Sequence, residues 1–285
     1  MLAWAPITQA VDLRVQQADG SELRLAGPAS RIVTLAPHLA EGVFAAGADP
    51  QLVATVEYSE FPAPAADIPR IGDAFRLDIE RIVALQPDLV IAWDSGNPRP
   101  AIAQLRQLDL QVWSVEIREP GGIADFIESV GRISGHAAEA RTEADRLRAR
   151  LADLGQHYAG ATPLRFFYQV DAKPLFTING QHLISHGLAL CGGVNIFAGE
   201  PGLAFQVARE SVIVANPDAI LAPRLPGVAD PLAEWRAWPG LSAVQRNALF
   251  LLPADEISRA TPRFLDTLDQ ACELLQALRE RTDDQ

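Results

Sequence analysis

The chain has 285 residues, enough for two compact lobes, and 48% hydrophobic against 21% charged residues excludes general disorder. Lys and Arg total 24 against 36 Asp and Glu, a net charge of −12. That balance excludes the cationic field on which non-specific nucleic-acid binding depends.

No run of about 18 apolar residues occurs, so nothing reads as a membrane span. The opening Met1-Leu2-Ala3-Trp4-Ala5-Pro6 lacks the basic segment and apolar length of an export leader. Composition alone leaves two options, a cytoplasmic chain or one whose leader has been removed. Residues 11–27, with Asp19-Gly20 between alternating segments (Val11, Leu13, Val15, then Leu23, Leu25), predict a small hairpin.

From Arg31 strand and helix alternate. Strands are expected at Ile32–Leu35, Val53–Val56, Asp88–Trp93 and Gln111–Val115, with helices at Leu39–Ala46, Asp78–Leu85 and Ala101–Leu108. Residues 123–158 are polar, free of proline and apolar at helical spacing (Ala140, Ala144, Leu147, Leu151, Leu154), predicting one or two helices. After Gly160 the alternation resumes through Arg165–Val170, Leu183–Leu190, Glu210–Val214, Ala219–Ala222 and Leu249–Leu252 to a final helix, Arg263–Arg279. The expected fold is α/β: two Rossmann-like parallel-sheet lobes joined by a long rigid backbone helix. The expected boundaries are an N-terminal extension at 1–29, a lobe at 30–122, a helical connector at 123–160 and a second lobe at 161–285.

The two lobes share a gapless repeat. The segment from Glu80 through Pro87-Asp88 to Ala92 lies over the segment from Glu210 through Pro217-Asp218 to Ala222, with apolar positions matching throughout. Two related lobes favour a ligand site in the cleft between them.

No motif announces catalysis: there is no G-x-S-x-G elbow, phosphate loop, dinucleotide fingerprint or H-E-x-x-H. The chain is therefore expected not to be an enzyme, although a signalling receptor on the same scaffold stays open. His182 and His186 stand four apart without a supporting carboxylate motif and read as solvated helix histidines, so no metal site is expected. Cys191 and Cys272 both fall in the second lobe, either as a disulfide or as two buried thiols. Tyr58, Phe61 and Trp93, a loop at Lys173–Thr177 holding Phe176, and Asp255–Arg259 all sit where strands end, the edge at which parallel α/β sheets bind ligands. Flat aromatic surfaces with few charges suit a large, partly apolar ligand.

Five segments carry a family resemblance: Arg31–Glu41, Glu80–Trp93 with its Ile-Ala-Trp ending, Cys191-Gly-Gly-Val-Asn-Ile-Phe197, Val207–Glu210 and Arg259–Arg263. They resemble the helical-backbone (class III) substrate-binding proteins that serve ABC importers, and among these the cobalamin-binding members. The resemblance implies a periplasmic monomer with its leader removed, which captures cobalamin or a related corrinoid as cargo, holds no cofactor of its own, and delivers to permease subunits and their ATPase. It implies that Tyr58, Trp93 and Phe176 contact the corrin and that Asp255, Glu256, Ile257, Ser258 and Arg259 form a loop over it. It further implies that Glu80 and Glu210 dock on the permease and that Cys191 pairs with Cys272.

This sequence departs from the pattern at three places. Ala74 and Ala204 stand where the cobalamin binders carry tryptophan, with Phe75 and Phe205 beside them as candidate substitutes. His38 replaces a small residue, and its imidazole suits either cobalt or iron. The alternative cargo is haem or a ferric siderophore.

Overall fold

The computed structural model describes residues 13–283; Val11 of the expected hairpin, the Met1–Pro6 stretch and the first part of the expected extension lie outside them. Strands β1 (Leu13–Gln16) and β2 (Glu22–Leu25) pair antiparallel across the Asp19-Gly20 turn. Asp19 Oδ1 accepts from the Ser21 N–H at 2.9 Å, and Gly20 turns the chain at φ +84°. The Trp113 indole N–H donates to the Gln16 carbonyl at 2.9 Å, tying the hairpin to the sheet that follows.

That sheet takes β3 (Ile32–Thr34), β4 (Leu52–Ala54), β5 (Leu89–Trp93) and β6 (Val112–Val115), all parallel, in the spatial order β4-β3-β5-β6. Its connections contain α1 (Pro37–Ala45), α2 (Ile79–Ala84) and α3 (Arg99–Gln107). Burial follows: β3 and β6 are buried throughout and β5 as far as Ala92, as expected of strands covered on both faces. Val33, Val90, Ile82, Leu105 and Val112 form its core. Pro37 opens α1 at its first position, and the Asp78 side chain caps α2 by accepting from the Arg81 N–H at 3.0 Å.

The helical stretch consists of two helices, α4 (Gly121–Ser134) and α5 (Ala137–His157), with Gly135 at φ +88° between them. The chain divides into two compact units: the described residues up to Glu116 with Phe126–Glu143, and Ile117–Asp125 with the chain from Ala144 onward. The division runs through both helices.

The second unit builds its main sheet from β7 (Leu164–Tyr168), β10 (Gly193–Asn195), β12 (Ala219–Arg224) and β13 (Leu249–Pro253), again all parallel, in the order β10-β7-β12-β13. A ribbon of β8 (Asp171–Ala172), β9 (Leu175–Ile178) and β11 (Ala204–Gln206) is antiparallel, in the order β11-β9-β8. Its helices are α6 (Leu183–Ala189), α7 (Arg209–Ala215), α8 (Ser242–Gln245), α9 (Ala254–Ile257) and the long α10 (Pro262–Asp283). Two expectations are corrected here. Phe176 lies on strand β9 rather than in a loop, and residues 254–257 form a short helix where a loop was expected.

Taken in sequence order within its unit, each main sheet reads second, first, third, fourth, so the internal repeat is a repeat of topology. The repeated Pro-Asp does the same work twice. Asp88 accepts from the backbone N–H groups of Ser30 (2.8 Å) and Arg31 (3.0 Å), and Asp218 from that of Arg165 (2.8 Å), each fastening the first strand to the start of the third. The residues before the two prolines, Gln86 and Asn216, both take left-handed conformations (φ +49° and +46°). Cys191, in the turn after α6, is disulfide-bonded to Cys272 on α10.

Candidate functional site

In the first unit three aromatic side chains, Tyr58, Phe75 and Trp93, lie on segments that follow or end strands of the sheet. Tyr58 follows β4 in a left-handed backbone conformation (φ +65°) with 69% of its surface exposed. Such backbone strain in a bulky residue is characteristic of ligand-facing segments. Phe75, 68% exposed, sits at the tip of a tight loop that Asp73 closes, its Oδ1 accepting from the N–H groups of Phe75 and Arg76 at 2.8 Å each.

Trp93 ends β5, half-buried, with His38 of α1 edge-on to its indole at 5.3 Å and 88°. The indole lies over Gly96, where a Cβ would fall 1.9 Å from the ring, so only glycine fits that turn. Asn97, buried, fixes the whole arrangement. Its Oδ1 accepts from the Trp93 N–H (2.7 Å), and its Nδ2 donates to the carbonyls of Leu35 (2.8 Å) and Ala74 (2.9 Å). One amide thus holds together the ends of β3 and β5 and the loop that carries Phe75. Sequence reasoning missed it; the only signal was its place at the end of an Asp-Ser-Gly-Asn turn.

In the second unit Phe176 is half-buried on β9, directly across from Gln206 of β11. Strand alternation therefore puts Phe205, which faces Thr177, on the other side of the ribbon from Phe176. Phe205 packs edge-on against Phe197 at 6.0 Å, and Phe167 continues the series from Phe197 to the buried Trp235 (6.0 and 5.8 Å). Ala204, by contrast, is exposed. The β8–β9 turn is braced by Lys173, whose Nζ lies 2.8 Å from Glu234 Oε1, while Arg209 of α7 also pairs with Glu234. The Lys173 hydrogen bond and charge hold the Glu234 carboxyl below its ordinary value.

The structure divides the five residues expected over the ligand. Ile257 is wholly buried, and Glu256 turns onto α10, accepting from the Thr267 hydroxyl at 2.8 Å. Asp255 and Ser258 are exposed, and Arg259 ion-pairs with Asp255 at 2.8 Å. Glu80 and Glu210 are both exposed in the first turns of α2 and α7, at equivalent points of the repeat. A carboxylate there also suits the helix dipole.

His182 is not a solvated helix residue. It caps α6, with Nδ1 accepting from the Ile184 N–H at 3.2 Å, and burial, with the neighbouring His186, lowers its pKa to about 4, which keeps the ring neutral and the cap in place. Among the described residues no cluster of three or more His, Cys, Asp or Glu side chains is arranged to hold a metal ion, and no helix is long and apolar enough to cross a membrane.

Comparison with known proteins adds a family and close relatives. The family model described as periplasmic binding protein matches residues 32–256. The vitamin B12-binding protein of Vibrio cholerae serotype O1 is 41% identical over 249 residues, covering 87% of this chain and 90% of that one. The crystal structure of the periplasmic vitamin B12 binding protein BtuF of Vibrio cholerae superposes with a TM-score of 0.81 at 39% identity, covering 88% of this chain and 98% of the other. The periplasmic heme binding protein HutB of Vibrio cholerae shares the fold, with a TM-score of 0.73 at 22% identity over 86% of this chain and 98% of its own.

Proposed function

Because the chain belongs to the periplasmic binding protein family, we propose that it captures cobalamin in the periplasm and delivers it to an ABC importer, performing no chemistry of its own. The observation that carries this reading is the 41% identity, over most of both chains, to a vitamin B12-binding protein. The strand-end aromatics support it. In the first unit Tyr58, Trp93 and Phe75 present flat apolar faces suited to a corrin, with His38 steadying Trp93; in the second, Phe176 presents another, with Phe205 packed on the opposite side of the β9 ribbon. Asp255, Ser258 and Arg259 supply polar contacts at the second unit's strand ends, while Glu256 and Ile257 hold their short helix against α10.

Cobalt enters only as part of the cargo; the protein needs no resident cofactor or metal. The Cys191–Cys272 disulfide suits the oxidising periplasm. The partners are the corrinoid and the importer's permease with its ATPase, met as a monomer, and the net charge of −12 disfavours nucleic acid. Haem is the second reading, favoured by His38, a ring nitrogen donor beside Trp93 that suits iron as well as cobalt.

Delivery has its own test. The Glu80→Ala, Glu210→Ala double variant, assayed with the importer in proteoliposomes, is expected to lose docking while its affinity for cyanocobalamin stays within about twofold of the parent. Unimpaired docking contradicts the role given to these two glutamates.

A further inference from the structure

The second unit carries a further apolar surface at its strand ends, formed by Val170, Leu225 and Val228, with the last two 53% and 63% exposed. Strands β7 and β12 are parallel neighbours whose last pair is Leu221↔Tyr168, so Val170, two residues on, and Leu225, immediately after β12, emerge at the same edge of the sheet. The Val170 N–H donates to the Phe176 carbonyl at 2.8 Å, which joins this surface to the β9 ribbon.

Leu225-Pro226-Gly227-Val228 has the marks of a type II turn. The Val228 N–H donates to the Leu225 carbonyl at 3.3 Å, proline holds the second place, and Gly227 takes φ +75° in the third. The chain returning from the turn is anchored beneath. Buried Gln169 donates through Nε2 to the Pro231 carbonyl (2.8 Å) and accepts through Oε1 from the Trp235 indole (2.7 Å). Asp230 adds an ion pair to Arg236 at 2.7 Å and accepts from the Leu232 N–H at 2.9 Å. A turn fixed at both ends that shows two aliphatic side chains to water is preorganised for an apolar ligand surface, because little freedom is left to lose on binding.

We propose that Leu225 and Val228, continued by Val170, contact the apolar periphery of the corrinoid cargo and set its affinity. The proposal rests on the cobalamin reading above. The main-chain bond between Val170 and Phe176 sets this surface beside a strand that the cargo reading already uses, which favours the cargo over the permease as its occupant.

The test is calorimetric titration of the full chain and of its Leu225→Ser, Val228→Ser double variant with cyanocobalamin at several temperatures, with importer docking measured in parallel. Affinity is expected to fall roughly tenfold for each side chain, with a less negative heat-capacity change of binding, an unchanged Tm, and a loss that is the same at low and high salt. Binding by the parent and equal binding by the double variant overturns the proposal alone. Unchanged affinity with impaired docking also overturns it and gives the surface to the permease. A parent that does not bind cyanocobalamin overturns the cobalamin reading and this proposal with it.

Discussion

Replacing Cys191 and Cys272 with serine is expected to destabilise the second unit by about 4–5 kcal/mol, on the chain-entropy account of a crosslink spanning 81 residues. Both cysteines are fully buried, and the bond joins the turn after α6 to α10. Arg279 reinforces the junction, its Nη2 donating to the Cys191 carbonyl at 2.6 Å and its Nε to the Thr162 carbonyl at 2.7 Å. Loosening α10 therefore strands buried polar groups as well as freeing the chain. Urea denaturation of the oxidised, reduced and serine forms, followed by circular dichroism, measures the loss. A difference below about 1 kcal/mol contradicts this role for the crosslink.

Asn97→Ala is expected to cost about 3 kcal/mol, because it leaves the buried Leu35 carbonyl and the half-buried Trp93 N–H and Ala74 carbonyl without their partner. Alanine keeps the turn's backbone but supplies neither donor nor acceptor. Hydrogen exchange should quicken at Trp93 and around Ala74 and Phe75 before it changes elsewhere in the first unit. Denaturation together with peptide-resolved exchange checks both parts. A stability change under about 1 kcal/mol, or exchange unaltered at Trp93, would show that the amide does not organise these strand ends.

Much of the architecture was legible because the residues obey short-range rules. The β5 run Leu-Val-Ile-Ala-Trp is buried except at its final residue, and apolar runs of this kind between helical patterns mark parallel strands. The shared Glu–Pro–Asp register pointed to related lobes, and Asp88 and Asp218 prove to make the same strand-fastening bond.

The β8-β9-β11 ribbon escaped notice because its strands are two to four residues long and alternate too briefly to show a period. For the same reason Phe176 read as a loop residue, and the opposite facing of Phe205 depends on a register that only pairing defines. His182 read as solvated because its cap bond and burial arise from the turn leading into α6 rather than from helical spacing. Asn97 and the Leu225–Val228 turn lay outside sequence reasoning for a further reason. Their partners, Leu35, Ala74 and the Gln169–Pro231 bond, are distant in the chain and meet only in the fold.

The measurement that bears most directly on the whole account is isothermal titration of the purified protein with cyanocobalamin, with haemin run alongside and the visible spectrum recorded. Saturable one-to-one binding of cyanocobalamin, with no Soret shift for haemin, is the predicted result. Silence toward cyanocobalamin with a shifted haemin Soret band would contradict the account and make His38, Ala74 and Ala204 the marks of a haem carrier.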